Sequence, residues 1–179
     1  VGNVTFRESD TPRGRALIID RIRMDNEYLK NADFVETMYR SALSAANRYH
    51  CVSHYDETGL VLEARKDIVE AGFVPERVKS LADELSQVEF KVKGRGHVLY
   101  YGDNPELYTK CKNITGRDPG KALEVLGFVD ASDSVFGKFR DAGADSGCKT
   151  LVVAEPSSFD FLKSRLEGVK IVHSSEYLL

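Results

Sequence analysis

"KTLVVAEPSSFDFLKSRLEGVKIVHSSEYLL", residues 149–179, indicates the fold class of this chain of 179 residues. The apolar run 151–153 is typical of a short buried strand. Pro156 suits a first helical turn, so 155–166 is predicted to be a helix. A second strand is expected within 169–175. Because two strands are joined by a helix, the segment predicts parallel pairing through a right-handed crossover, and therefore an α/β fold.

The region just upstream continues this alternation. "HVLYY", residues 97–101, is predicted to be a strand. "NPELYTKCKNIT", residues 104–115, is predicted to be a helix capped by Asn104. "DPGKALEVLG", residues 118–127, carries the same signal, with Asp118 as the cap.

Ligands in α/β units bind beyond the carboxyl ends of the strands, in the turns that lead into helices. The expected turns are 100–108, 153–161 and 172–177, and all three are rich in polar residues. Asp103 and Glu155 are expected to lie side by side there, where two facing carboxylates can mark a site. The alternative is that both are ordinary acids at helix starts, where the helix dipole favours negative charge.

The first half of the chain is predicted to be helical, because apolar residues recur there at helical spacing. The expected helical segments are 9–29, 32–44, 57–72 and 75–87. A polar stretch with two glycines, residues 86–98, separates this half from the alternating half. We therefore expect a helical lobe over residues 1–90 and a small parallel α/β lobe over residues 91–179.

The composition indicates a globular protein and argues against nucleic-acid-binding, membrane-spanning and disulfide-rich classes. Hydrophobic residues make up 42% and charged residues 30%, as in ordinary globular domains. A net charge of −3 gives no reason to expect a nucleic-acid or acidic-lipid partner. No apolar run reaches the roughly 18–20 residues of a membrane span. Cys51, Cys111 and Cys148 are widely spaced and odd in number, which fits reduced thiols and a cytoplasmic protein.

One segment of the helical half, residues 39–51, has an unusual spacing. Ser41, Ser44, Asn47 and Cys51 are separated by three, three and four positions. This is the C-x2-C-x2-C-x3-C spacing that holds a cubane iron–sulfur cluster, with only the last position a cysteine.

The sequence around that segment is similar to sequences of a known protein family. "YRSALSAANRYHCVSHYDETGLVLEARKDIVEAGFVP", residues 39–75, resembles "Y.CL.CG.C…CP…D…LVL.ARK..VE.G" in the iron–sulfur subunits of heterodisulfide reductase and of glycolate and lactate oxidases. "ESDTPRGRALIIDRI", residues 8–22, resembles the family's linker between two cluster motifs. "NVTF" at 3–6 stands in place of "CPTY", which puts Asn3 at a cysteine position.

The second half resembles one repeat of the family's cysteine-rich CCG domain. "VLYYGDNPELY", residues 98–108, is similar to "YYGCNP.LY", with Asp103 in place of the cysteine. Residues 151–178 are similar to "IVT.CP.C...LK…GV.V.H..E.L", with Glu155 and Ser158 in place of two cysteines. The consecutive cysteine pair of the domain is absent. The resemblance thus implies a ferredoxin-like helical lobe followed by a single CCG-like repeat.

The family's cofactor is not expected here. A cubane cluster normally takes four thiolates, whereas hydroxyls are harder and far less acidic ligands and an amide carries no charge. The matched positions Asn3, Ser41, Ser44, Asn47, Asp103, Glu155 and Ser158 are then degenerate, and Cys51 alone remains. We expect a non-catalytic structural or regulatory subunit of a heterodisulfide-reductase-like electron-transfer complex. Its expected partners are iron–sulfur or flavin subunits, in a homo- or hetero-oligomer.

An alternative function reuses the vacated cluster pocket for a small molecule, as a binding protein or an enzyme. The expected pocket residues are Asp103, Asn104, Glu155, Ser157, Ser158 and His173. The two serines with His173 also leave a hydrolase dyad open, although they lie outside a G-x-S-x-G elbow.

Two further alternatives involve Cys51. His50, Cys51 and His54 form an H-C-x2-H cluster that could bind a metal with one more ligand. Cys51 could also be one ligand of a cofactor shared at a subunit interface.

Overall fold

The computed structural model describes residues 2–104 and 110–177. Its α-helices are, in chain order, α1 (Gly2–Thr5), α2 (Pro12–Met24), α3 (Ala32–Tyr39), α4 (Ala46–His50), α5 (Glu57–Glu70), α6 (Glu76–Ser86), α7 (Lys121–Leu126), α8 (Val129–Asp145), α9 (Pro156–Arg165) and α10 (Ser174–Tyr177). Short 3-10 helices cover Glu8–Asp10 and Asn26–Lys30. The strands are β1 (Lys91–Lys93), β2 (Val98–Tyr101), β3 (Lys112–Thr115), β4 (Thr150–Val153) and β5 (Lys170–His173).

The chain folds into two compact units. The helical unit is Val1–Ala82 together with Val125–Phe128. The sheet unit is Asp83–Glu124 together with Val129–Leu179.

Local capping determines where the main helices of the helical unit begin. Thr11 accepts a hydrogen bond from the Gly14 amide at 3.0 Å, and Pro12 occupies the first turn of α2. Asp56 accepts from the Gly59 amide at 3.1 Å at the start of α5. Each side chain satisfies an amide that has no partner within the helix, which favours initiation at these residues.

The core of the helical unit lies between α2, α3 and α5. It is built from side chains that are less than a tenth exposed: Ile18, Ile22, Leu29, Val35, Met38, Ala64 and Ile68. Their helical spacing is the pattern from which the helices were predicted.

The sheet unit contains a five-stranded sheet in the order β1-β3-β2-β4-β5. β2, β3, β4 and β5 run parallel, with Leu99 opposite Leu151 and Tyr101 opposite Val153. β1 pairs antiparallel with β3 at one edge. The predicted α/β class and the predicted strands at 97–101, 151–153 and 169–175 are confirmed.

Two sequence predictions about this unit are wrong. The sheet is mixed instead of purely parallel, because residues 91–93 of the polar stretch form the antiparallel strand β1. Residues 112–115, predicted as the end of a helix, form β3. The middle of that predicted helix, residues 105–109, lies outside the described residues. Pairing with strands on both sides outweighs the local helical signal of 112–115.

The larger core cluster of the sheet unit lies on one face of the sheet, under α8 and α9, and a smaller one with Tyr100, Cys111 and Val152 lies apart from it. Leu99, Tyr101, Leu151 and Val153 alternate along β2 and β4 and pack with Phe139, Phe161 and Leu162 from the two helices. The Tyr101 and Phe139 rings meet edge to face at 5.2 Å. Because β2 and β4 are buried on both faces, they read as continuous apolar runs, as is usual for central parallel strands.

Among residues 2–104 and 110–177, none of the helices combines the length and apolar character that crossing a bilayer requires.

Candidate functional site

A cavity of about 710 Å³ opens in the sheet unit at the carboxyl ends of β2, β3 and β4. The chain leaves β2 toward β3 on one side and leaves β4 toward β5 on the other. Adjacent strands whose connections diverge form a topological switch point, and ligands of α/β sheets bind in the crevice there. The turns that line this carboxyl-edge cavity supply Gly102, Asp103, Asn104, Gly116, Arg117, Asp118, Ala154, Glu155 and Ser158.

Glu155 is the cavity acid with the most defined surroundings. It is the residue that precedes the first turn of α9. It accepts hydrogen bonds from the hydroxyl of Ser157 and, at 2.5 Å, from that of Ser158. These hydroxyls lower the pKa of Glu155. The Glu155 carboxylate is therefore charged at neutral pH.

Asp118 is a second acidic residue in the wall of the cavity. Its Oδ1 accepts from the Gly120 amide at 2.6 Å and its Oδ2 from the Ala122 amide at 3.0 Å. Burial, together with the charge of Glu155, raises the pKa of Asp118. The sequence identified Asp118 as a helix cap, but nothing local indicated that β3 would bring it beside Glu155.

Gly120 follows in this turn with φ at +113°, and a Cβ there would lie 2.7 Å from the Ser132 carbonyl oxygen. The turn that holds Asp118 against the cavity therefore requires glycine.

The base of the carboxyl-edge cavity is closed by Tyr101. Its hydroxyl donates to the Arg117 carbonyl at 2.9 Å, and burial raises the pKa of Tyr101, so the phenol stays neutral. The guanidinium of Arg117 pairs with Glu84 at 3.0 Å. That pair is exposed and therefore weak. Among the described lining residues, three carboxylates, Asp103, Asp118 and Glu155, stand against this one guanidinium, so the cavity is acidic on balance.

The structure brings together most of the residues predicted for the vacated pocket. Asp103, Asn104, Glu155 and Ser158 line the cavity, and the Ser157 hydroxyl bonds to Glu155. His173 does not line it.

The contacts of His173 do not support a hydrolase dyad. Its Nδ1 lies 2.8 Å from the Ser175 hydroxyl and its Nε2 lies 3.1 Å from the Ala154 carbonyl oxygen. The hydroxyls of Ser157 and Ser158 instead donate to Glu155.

Two of the cluster-spaced side chains of the helical unit bond protein groups. The Ser41 hydroxyl oxygen accepts from the Leu43 amide at 3.4 Å, and the Ser41 carbonyl accepts from Arg65 at 3.2 Å. The Asn47 amide nitrogen donates to Glu57 at 3.4 Å. Ser44 is exposed.

Cys51 lies with its sulfur 3.2 Å from the Ser53 hydroxyl. Hydrogen bonds from Ser53, first from its hydroxyl, lower the pKa of the Cys51 thiol. The side chain of Asn3, the upstream cluster position, lies outside the described residues.

These donors do not fit a cubane cluster. One thiol, two hydroxyls and an amide that donates its hydrogen to a carboxylate cannot supply four thiolates. In the described part of the chain, no three His, Cys, Asp or Glu side chains converge as metal ligands. Of the H-C-x2-H residues, His54 has its Nδ1 2.8 Å from the Arg48 carbonyl oxygen.

Strained backbone marks the cluster-spaced segment. Leu43, Ala45 and His54 have φ of 50°, 55° and 48°, a left-handed conformation that non-glycine residues rarely adopt. Such conformations persist where surrounding structure enforces them. Arg65, which bonds the carbonyls of Met38 and Ser41 just before Leu43, is one such constraint.

No protein-family model matches the sequence, and neither the curated proteins nor the solved structures contain a match to this chain.

Proposed function

We propose that this chain is a binding protein that takes a small polar molecule in the carboxyl-edge cavity. The observation that carries the proposal is the position of that cavity at the switch point between β2 and β4. Its volume of about 710 Å³ lies within the range of small-molecule sites. A cluster domain that had simply filled its vacated site would have no such opening there.

The ligand class follows from the charges around the cavity. Asp103, Asp118 and Glu155 are carboxylates, and hydroxyl bonds stabilise the charged form of Glu155. The nearby Arg117 guanidinium is paired with Glu84. A ligand that brings an ammonium, guanidinium or amide donor is therefore favoured over an anion.

Isothermal titration calorimetry with a matched pair of probes tests this proposal. 1,4-Diaminobutane and succinate have four-carbon chains and opposite charges. We expect the diamine to bind and succinate not to bind. Asp103→Asn and Glu155→Gln should each weaken diamine binding about tenfold or more, because each removes a charged acceptor.

Asp160→Asn is the matched control, since Asp160 is an exposed acid on α9 that does not line the cavity. Equal binding by all three variants, or preferential binding of succinate, would contradict the proposal.

A second candidate function is supported by the helical unit. This is the structural or regulatory subunit of a heterodisulfide-reductase-like complex in the cytoplasm, beside iron–sulfur or flavin subunits. Under this proposal the helical unit is a ferredoxin-like lobe without its cluster and the sheet unit a single CCG-like repeat. It is favoured by the side chains of Ser41 and Asn47, which bond the Leu43 amide and Glu57 at positions where the resembling family has cluster thiolates.

Anaerobic reconstitution with iron and sulfide, followed by native mass spectrometry of the complex from its source, tests the second candidate. We expect a colourless chain without stoichiometric iron that is isolated with redox subunits. A brown chain carrying a cluster, or a chain isolated alone, would argue against it.

A further inference from the structure

A second cavity, of about 490 Å³, opens at the opposite edge of the same sheet. It lies beside the amino-terminal ends of β2 and β4, below α8 and the end of α9. Leu99 and Leu151 line it from the sheet and Phe139 from α8, and each of these is at most 4% exposed. This amino-edge cavity therefore reaches the hydrophobic core.

The cavity exists because the side chains of α8 are small where the helix packs over the sheet. Gly143 and Ala144 face the cavity. A Cβ on Gly143 would meet only the Leu99 side chain, at 3.8 Å, which is ordinary van der Waals contact. The helix would tolerate a larger residue here, and its absence leaves the space open.

Both arginines at the mouth of the cavity pair with carboxylates, and Glu167 adds a further carboxylate to the lining. Arg165 pairs with Asp133 at 2.6 Å and with Glu124 at 2.9 Å. Arg140 pairs with Asp141 at 3.2 Å. An anionic ligand would therefore meet two arginines that already have carboxylate partners and, in Glu167, a charge of its own sign.

Apart from these charged residues, the wall is apolar or weakly polar. Leu166 and Val169 lie in the turn between α9 and β5, and the half-buried Cys148 thiol contributes a soft polar group. Apolar lining with few polar groups, at this volume, is the usual character of a small-molecule site.

We propose that the amino-edge cavity binds one uncharged, largely apolar small molecule. Its apolar floor removes the surface of such a ligand from water, and burying an ionic group against that floor would be costly. The site is separate from the acidic carboxyl-edge cavity. It takes an apolar ligand, whereas the carboxyl-edge cavity takes a polar one.

Fluorescence titration of the full chain with N-phenyl-1-naphthylamine tests this proposal, because this uncharged probe emits strongly only in apolar surroundings. We expect saturable binding of one probe per chain. 1-Anilinonaphthalene-8-sulfonate, which adds a sulfonate to the same rings, should bind at least tenfold more weakly. Tighter binding of the sulfonate would overturn the proposed ligand class.

Gly143→Leu should fill the cavity and weaken probe binding at least tenfold. Gly137→Leu is the matched control: Gly137 lies on the same helix, and a Cβ there would meet nothing within 4 Å. Equal binding by the two variants would place the probe elsewhere and overturn the proposal.

A measurement on the wild-type chain keeps the test independent of variant folding. Peptide mass spectrometry after iodoacetamide treatment follows Cys148 in the cavity and Cys51 in the helical unit within one sample. We expect the probe to slow alkylation of Cys148 and to leave that of Cys51 unchanged. An unchanged rate at Cys148 under saturating probe would contradict the proposed site.

Discussion

Arg15 and Glu57 form a buried ion pair across 42 positions of sequence. Nη2 of Arg15 lies 2.7 Å from Oε1 of Glu57, and the two side chains are 5% and 6% exposed. Nη1 of Arg15 also donates to the Asp10 carbonyl at 2.7 Å. The other oxygen of Glu57 accepts from Asn47, at a cluster-spaced position. Charged groups thus hold α2, α5 and the cluster-spaced segment together in the absence of thiolate ligands.

Removing one partner of this pair should destabilise the helical unit strongly. Glu57→Ala leaves the Arg15 guanidinium buried without its counter-charge, so we expect a loss of about 3–5 kcal/mol in the free energy of unfolding. Urea denaturation followed by circular dichroism measures this loss.

Asp20→Ala is the control, since it removes the exposed pair with Arg23 at 3.0 Å. We expect a change of about 0.5 kcal/mol or less. A Glu57→Ala variant as stable as Asp20→Ala would show that the buried pair contributes nothing.

Asp10 should make stability depend on pH in the acid range. Its side chain is fully buried and accepts from Arg40 Nε at 3.0 Å. A hydrogen bond from the Thr5 hydroxyl, followed by the hydrogen bond and charge of Arg40, lowers the pKa of Asp10 below 3.8 against the opposing effect of burial. Because the pKa of Asp10 is lower in the folded state, its charge stabilises the fold at pH values above the pKa of the unfolded state. This stabilisation is lost as the pH falls through the pKa of the folded state.

Urea midpoints of wild type and Asp10→Asn, compared from pH 6 down to pH 2, test this dependence. The wild type should be more stable at pH 6, and the difference should shrink as the pH falls below about 4. Curves that stay parallel across the range would refute the role of the Asp10 charge.

Two glycines within helices should respond to alanine in opposite directions. A Cβ on Gly14 of α2 would lie 1.9 Å from the Glu8 carbonyl oxygen, so Gly14→Ala must displace the 3-10 helix Glu8–Asp10. We expect a loss of about 1–3 kcal/mol. Gly137→Ala on α8 meets open space and should gain about 0.5–1 kcal/mol from helix propensity. Thermal unfolding of both variants measures the contrast, and a shift of the same sign in both would contradict it.

Arg65 should be irreplaceable by lysine. Its guanidinium donates to the carbonyls of Met38 at 2.9 Å, Ser41 at 3.2 Å and Val125 at 2.8 Å. A lysine ammonium lacks the planar fork that reaches all three acceptors. We expect Arg65→Lys to lose about 2 kcal/mol, with faster hydrogen exchange in residues 125–128.

The exposed Arg21→Lys serves as the control for Arg65→Lys and should leave both stability and exchange unchanged. If residues 125–128 exchange equally in the two variants, Arg65 does not anchor them.

The carboxyl-edge cavity was largely predictable because its elements are local. The apolar run of β4 predicts a strand, and Pro156 at the start of α9 predicts a helix. Neither prediction depends on the rest of the chain. Parallel pairing then places Asp103 and Glu155 at one edge of the sheet. The sequence does not predict Asp118 as a cavity residue, because β3, the strand that precedes it, carries the single buried residue Ile114 among more exposed neighbours.

Local sequence by itself determined the α/β class, the main helices and the strands β2, β4 and β5, because hydrophobic period and capping act over a few residues. Only the tertiary structure decided that β1 and β3 are strands, that Arg15, Glu57 and Arg65 are buried, and that residues 125–128 join the helical unit. The physical reason is that charged side chains leave water only when distant partners satisfy them, and those partners lie tens of residues away.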